Sequence, residues 1–239
     1  MNSYALVTGA SRGIGKSIAE ALAKEGYHLI LTCLNSYDTL IDLASHLKKT
    51  YRINCITMQC DAKDAESVHK LFENSPAPDI IINNAGISYV GLLQDMTIEE
   101  WNNIINTNLS SAFYTSKYAI PLMLQKHSGH IINISSVWGD TGASAEVAYS
   151  ASKGGLNALT KALAKELAPS GIQVNAIACG LIDTQMNAHL SAEDICALTE
   201  EIPAGRPGSC EEVAQTVISL LNMPTYFTGQ IITLDGGWI

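Results

Sequence analysis

Short apolar runs alternate along this chain with longer stretches whose apolar positions recur every three or four residues. The short runs are "YALVT", "HLILTC", "INCITMQ", "DIIIN", "HIINIS", "IQVNAIA" and "QIITL". Helical periodicity covers Ile14–Glu25, Thr39–Thr50, Ala65–Glu73, a long Ile98–Gln125, Tyr149–Ala168 and Cys210–Leu221. The short runs are apolar at successive positions, so both faces of each strand must be covered, whereas a half-exposed sheet would alternate apolar with polar residues. Strands separated by helices in this way predict an α/β fold, a doubly wound parallel sheet flanked by helices on both faces. No repeat, low-complexity segment or Pro/Gly/Ser-rich linker divides the chain, so residues 1–239 are expected to form one domain. The one long irregular piece, 181–209, holds Pro203, Pro207 and Gly208. A connection of that length in a compact domain predicts a substrate lid.

Composition narrows the function more than the fold. At 239 residues and 47% hydrophobic, the chain is long enough to bury a large core. Fourteen basic against 23 acidic residues leave a net charge of −9 with no run of Lys and Arg, which argues against nucleic acid as a partner. The six cysteines show neither a CxxC pair nor metal-ligand spacing, so a reduced thiol set and no metal are expected. No apolar run approaches the ~20 residues of a membrane span. The start "MNSYALVTG" lacks the charged and apolar regions of a signal peptide. A soluble cytoplasmic protein is expected.

Two stretches carry chemistry. In "VTGASRGIGKSIAEALAKEG", glycines 9, 13 and 15 fall between the first strand and the first helix, where missing side chains let the backbone turn tightly and approach a pyrophosphate at the helix N-terminus. In "AYSASKGG", Tyr149 and Lys153 lie four residues apart at a helix start. At 3.6 residues per turn they differ by only about 40° around the axis and share a face. By itself either pattern is also compatible with a plain turn or a solvated helix start.

Together with "CDAKD", "NNAG" at 83–86, "NTNLSS" at 106–111, "NISSVWG" at 133–139, "YSASK" at 149–153 and the closing "LDGGWI", these motifs give the chain its resemblance to the short-chain dehydrogenases/reductases, whose "TGxxxGxG" is matched by Thr8–Gly15. The resemblance covers essentially the whole chain and implies a Rossmann-type fold. Within the family the chain looks most like bacterial 3-oxoacyl-[acyl-carrier-protein] reductases, through "TGASRGIG", "NNAGI", "IPAGRPG" and "TGQIITLDGG". It implies that Tyr149 is the acid that protonates the nascent alkoxide during carbonyl reduction. Lys153 would lower the phenol's pKa and bind the nicotinamide ribose, Ser136 would hydrogen-bond the substrate carbonyl, and Asn108 would hold a water beside the lysine. Ser135 is the alternative to Ser136, which stands at the family's usual interval from the tyrosine.

Cofactor contacts carry over in the same way. Gly9, Ser11, Arg12, Gly13, Ile14 and Gly15 would surround the phosphates and adenosine ribose, Asp61 and Ala62 the adenine, and Asn84, Ala85 and Gly86 the ribose. Ile182 and Thr184 would meet the carboxamide and phosphates. NAD-selective relatives carry an acid at the end of the second strand, where this chain has Cys33, Leu34, Asn35 and Ser36. With Arg12 available to pair with a 2'-phosphate, NADP(H) is expected, and the nearby Asp38 keeps NAD(H) open. Cys179 stands where the family usually has proline. The expected substrate is a small molecule or an acyl group on a carrier. A CoA thioester or a free alcohol, sugar or steroid ketone stays in play, because a chain at −9 would steer an acidic carrier protein poorly. The substrate pocket is expected from Ser88, Tyr89, Trp138, Asp140, Met186 and Leu190. A homotetramer is implied by the resemblance and by the apolar load of the helices around Ile98–Gln125 and Tyr149–Ala168.

Overall fold

The computed structural model describes residues 3–187 and 191–239. Seven strands, β1 (Tyr4–Val7), β2 (His28–Cys33), β3 (Cys55–Gln59), β4 (Ile80–Asn83), β5 (Gly129–Ser136), β6 (Ile172–Cys179) and β7 (Ile231–Leu234), form one sheet in the order β3-β2-β1-β4-β5-β6-β7. Every pairing is parallel. The helices are α1 (Gly13–Lys24), α2 (Tyr37–Tyr51), α3 (Ala65–Glu73), α4 (Ile98–Ile105), α5 (Ser111–Lys126), the short α6 (Trp138–Thr141), α7 (Val147–Leu167), α8 (Ala192–Glu201) and α9 (Cys210–Leu221). This is the doubly wound Rossmann-type architecture expected from the strand pattern.

The core is two apolar layers separated by the sheet. On one side, Ile18, Leu22, Leu40, Leu47, Val213 and Val217 of α1, α2 and α9 pack on Val7, Leu29 and Leu31. On the other, Val68, Leu71, Ala119, Met123, Ala164 and Leu167 of α3, α5 and α7 cover Leu6, Ile30, Ile81 and Ile131. Neighbours along one strand, such as Leu6 and Val7, thus enter opposite layers, which is why the strands are apolar throughout.

Helix starts follow local chemistry. The Asp64 carboxylate accepts from Glu66 N at 3.1 Å to begin α3. Reciprocal capping boxes join Thr97 to Glu100, Ser191 to Asp194 and Ser209 to Glu212 at the starts of α4, α8 and α9. Two expectations change. The long helix predicted over Ile98–Gln125 is interrupted by a π-helical turn at Asn106–Ser110, so α4 and α5 are separate elements. The 181–209 segment is not irregular throughout, because it contains a short turn at Gln185–Asn187 and the helix α8.

The chain reverses its direction of winding between β1 and β4, and the cleft opens at the carboxyl ends of these strands, as open α/β sheets require.

Candidate active site

A cleft of about 770 Å³ runs along the carboxyl edge of the sheet. At one end the turn after β1 places Gly9, Ser11, Arg12, Gly13, Ile14 and Gly15 on its floor. Two glycines there are required by space. A Cβ on Gly15 would collide with Gly9 O and stand 2.5 Å from Asn84 Nδ2, while Gly9 itself has φ +65° and its Cβ would lie 3.0 Å from Ala85 Cα.

That packing is fastened by Thr8, which is buried. Its Oγ1 accepts from Asn84 N and Ala85 N at 3.0 Å each and donates to Ile82 O at 3.4 Å. Asn84 Nδ2 answers by donating to Thr8 O and Gly9 O at 2.9 and 3.1 Å. The β1 turn and the segment Asn84–Ala85–Gly86 after β4 are therefore one interlocked unit. Asp61 and Ala62 line the cleft beyond β3, and Ile182 and Thr184 close it from the segment after β6.

The other end carries the reactive side chains. Ser136, the last residue of β5, and Tyr149 and Lys153, one turn apart on α7, all line the same cleft. Lys153 Nζ donates to Ile134 O at 2.8 Å and stands 5.5 Å from the centroid of the Tyr149 ring. Ser136 Oγ accepts from Trp138 N at 3.2 Å. Ser135, which also lines the cleft, is turned to the structure behind it, where its Oγ donates to Asn157 Oδ1 at 2.7 Å.

Asn108 lies behind the cleft wall rather than on it, buried in the π-helical turn. Its Oδ1 accepts from Ile87 N at 2.9 Å, and its Nδ2 donates to Ile87 O at 2.9 Å and to Ser152 Oγ at 3.1 Å. A Cβ on Gly86 would touch Asn108 Oδ1 at 3.4 Å and Lys153 Nζ at 3.6 Å, so both groups approach Gly86 from one side.

Burial governs the titrations. Lys153 is pulled down to about 8 because its ammonium has lost hydration, an effect opposed by the nearby Cys179. The Cys179 thiol is itself pushed up to about 12 by burial. Tyr149 is raised, first by desolvation and second by Cys179, with a hydrogen bond to Ser136 acting the other way. In the free protein the net shift of the phenol is therefore upward, where a lowered value was expected, and its largest cause is the loss of water around the phenolate.

The sequence profile described as short chain dehydrogenase matches residues 3–195. The chain belongs to that family. It is 39% identical to the "Uncharacterized oxidoreductase YmfI" of Bacillus subtilis (strain 168), over 100% of this chain and 99% of that one. It is 41% identical to the 3-oxoacyl-[acyl-carrier-protein] reductase FabG of Escherichia coli (strain K12), covering 98% of this chain and 96% of the relative. A crystal structure of a putative gluconate dehydrogenase from Agrobacterium tumefaciens superposes with a TM-score of 0.93 at 31% identity, over 99% of this chain and 95% of that one. This short-chain dehydrogenase is an NAD(P)-dependent oxidoreductase acting on CH–OH or C=O groups, similar to 3-oxoacyl-[acyl-carrier-protein] reductases.

The family's nicotinamide dinucleotide fits the residues present. No side chain caps α1, whose N-cap Arg12 is extended, so the first backbone N–H groups of the helix open on the cleft beside the glycine turn. That is the arrangement a pyrophosphate needs.

The expected pocket residues Ser88, Trp138 and Met186 line the cleft, Tyr89 and Asp140 are not among its lining residues, and Leu190 lies outside the described residues. Asp38 does not line it either, whereas Cys33, Leu34, Asn35 and Ser36 do. Sequence reasoning missed Lys63, Gln185, Leu198 and Trp238 as lining residues. For Trp238 the signal was present in an aromatic residue next to the chain's end. Lys63, Gln185 and Leu198 carried none, since polar and apolar residues in connecting segments are common. Among the described residues no cluster suited to a metal ion occurs, and no helix is long and apolar enough to cross a membrane.

Proposed function

We propose that the protein reduces the 3-oxo group of a 3-oxoacyl thioester, on acyl carrier protein or CoA, to the 3-hydroxyacyl form with NADPH. The observation that carries this reading is the meeting of Ser136, Tyr149 and Lys153 at one end of a cleft whose other end is the glycine turn. The dinucleotide is held by Gly9, Ser11, Arg12, Gly13, Ile14 and Gly15 at its phosphates and adenosine ribose, by Asp61 and Ala62 at the adenine, and by Asn84, Ala85 and Gly86 at the ribose. Ile182 and Thr184 take the carboxamide and phosphate contacts. The nicotinamide, when bound, supplies a hydride to the carbonyl carbon.

The chain's own groups handle the oxygen. Ser136 Oγ donates a hydrogen bond to it, and Tyr149 delivers the proton as negative charge develops. Its raised pKa keeps the phenol protonated beforehand, which is the state that reduction requires. Lys153, protonated, stabilises the phenolate left behind, and a value near 8 lets it hand on a proton close to neutrality. Asn108 holds the backbone at Ile87 and, through the water expected beside the lysine, links Lys153 to solvent.

NADPH is favoured because Cys33–Ser36 offers no carboxylate where the cleft would meet a 2'-hydroxyl, and because Arg12 lines the same region. We read residues 1–239 as one domain whose 181–209 segment covers the substrate, in a cytoplasmic homotetramer. Phe113 is 48% exposed on α5, and Leu159 and Leu163 on α7 are only partly buried, apolar positions that another subunit would cover. A second reading, reduction of a free ketone, is supported by the net charge of −9, which disfavours docking of an acidic carrier, and by the likeness to the putative gluconate dehydrogenase.

The deciding experiment measures turnover of acetoacetyl-CoA, acyl-carrier 3-oxoesters and simple ketones with each nicotinamide cofactor. Thioester reduction with NADPH is expected to dominate, and exclusive use of free ketones or alcohols would overturn the first reading. Tyr149→Phe, which removes only the phenolic hydroxyl, is expected to cut kcat by about 10²–10⁴ while NADPH still binds. Turnover near the parent's would remove Tyr149 as the acid.

A further inference from the structure

We propose that Trp138 and Trp238 form a slot at the Ser136 end of the cleft for an uncharged alkyl or aryl group attached to the reacting carbonyl carbon. The proposal rests on the reading of Ser136 and Tyr149 as the carbonyl end and names the substrate class that this end selects.

Both indoles line the cleft, and they meet edge to face with centroids 5.0 Å apart and an interplanar angle of 65°. They follow the carboxyl ends of two strands, Trp138 after β5 and Trp238 after β7. Trp138 begins α6, two residues after Ser136, and its backbone N–H donates to Ser136 Oγ. The helix that carries it is pinned to α7. Asn157 Nδ2 donates to Asp140 Oδ1 at 3.1 Å, and a Cβ on Gly139 would stand 2.8 Å from the carbonyl carbon of Lys153. Trp138 is thus held at a fixed distance from the proposed proton donor.

Trp238 is turned back over the cleft by Gly236 and Gly237, with φ of 71° and 84°. The Asp235 carboxylate holds that turn by accepting from Gly237 N and Ile239 N, each at 2.9 Å. The indole Nε1 donates to Glu201 Oε2 at 3.2 Å at the end of α8. The ring's one polar atom is thereby satisfied away from the partner indole, and its carbon surface is left for Trp138 and a ligand. Met186 and Leu198 line the same cleft and extend the apolar set.

Charge makes the slot selective. The described cations that line the cleft are Arg12, Lys63 and Lys153. Arg12 bonds Gln185 by the glycine turn, Lys63 bonds Asn103 next to Asp61 and Ala62, and Lys153 is buried against Ile134 O. None of the three stands with the indoles, and the carboxylate of Glu146 lines the cleft near Tyr149. A carboxylate on the group that enters the slot would leave water for an aromatic wall with no cation beside it among the described lining residues, which discriminates against substrates that carry a negative charge on that side.

The test uses N-acetylcysteamine thioesters of 3-oxo acids, which are neutral, with the acyl chain lengthened one methylene at a time and a 3-phenyl member added. The 3-oxoadipyl thioester, whose free carboxylate ends the chain on the slot side of the reacting carbon, is the anionic comparison. In the parent, kcat/KM is expected to rise about fourfold per methylene over the first few, mainly through KM. In Trp238→Ala the rise flattens, and Trp238→Phe restores most of it. The 3-oxoadipyl thioester is expected to be at least about 100-fold poorer than the neutral 3-oxohexanoyl thioester of the same length. A parallel titration with 2-octanone in the presence of NADP+ follows tryptophan emission without turnover. Quenching is expected in the parent and is expected to be strongly reduced in Trp238→Ala. A flat chain-length series in the parent, the same slope in Trp238→Ala, the 3-oxoadipyl thioester used as well as the 3-oxohexanoyl one, or no quenching would overturn the slot. If no carbonyl compound is reduced with either cofactor, the proposed function fails, and the emission titration still decides the slot separately.

Discussion

Replacing Thr8 by valine keeps the shape of the side chain and removes one oxygen. That oxygen accepts from two successive backbone N–H groups, Asn84 N and Ala85 N, and donates to Ile82 O, so its single proton and both lone pairs are engaged. The valine variant strands two N–H donors beside a 4% exposed site. Each stranded donor costs about 1–3 kcal/mol, and because Asn84 and Ala85 are only partly buried the lower half of that range applies, giving about 2–4 kcal/mol in total. For a chain of this size that is a drop in Tm of about 4–16 °C. The damage is also directed, since Asn84 is the residue whose amide clasps Thr8 O and Gly9 O. Cofactor affinity is therefore expected to fall with stability. Thr8→Ser retains the oxygen and is expected to lose little of either. Thermal unfolding without ligand and cofactor binding by fluorescence check both parts. A valine variant that melts with the parent, or a serine variant as damaged as the valine, would refute the claim that the hydroxyl locks the two halves of the dinucleotide site together.

Arg12→Ala is expected to raise KM for NADPH far more than for NADH in steady-state assays, because only the former carries the phosphate; equal effects would remove Arg12 as the selector. Lys153→Met is expected to be inactive, and its stability relative to the parent should depend on pH. The buried amine binds its proton less tightly folded than unfolded, so the parent gains stability as pH rises from about 8 towards the amine's ordinary value, and is penalised at lower pH where the ammonium is buried. Urea unfolding should show the parent gaining about 2 kcal/mol on the methionine variant between pH 7.5 and 9.5, and a constant difference would contradict the burial argument. Sedimentation equilibrium at micromolar concentration is expected to give a tetramer, and a mass near 25.6 kDa would refute assembly.

The strands were legible because sheet burial on both faces leaves a direct trace in composition. β2 is the predicted "HLILTC" residue for residue, and the other strands differ from their predicted runs by one or two residues at an end. The glycine turn and the Tyr149–Lys153 pair were legible because their spacings are themselves geometric statements. α8 was not, since Pro203, Pro207 and Gly208 drew attention to the end of its segment while the Ser191–Asp194 capping box at its start went unused. The sign of the Tyr149 shift was hidden for a different reason: the spacing reports that a lysine is near, but not how much water the fold removes from both groups. The Trp138–Trp238 contact joins residues 100 positions apart in number and has no local signature.

The π-helical turn at Asn106–Ser110 has a consequence for how this chain can change length. A π-helical turn takes up one residue more than an α-helical turn for about the same rotation, so deleting a single position there would join α4 and α5 into a regular rod and leave Ala119 and Met123 on the face that packs against the sheet. What the deletion would cost is local, because Asn108 sits in the widened turn and its amide holds Ile87 from there. The extra residue therefore serves the site and not the packing, and a chain shortened by that one position should still fold while losing the clasp on Ile87.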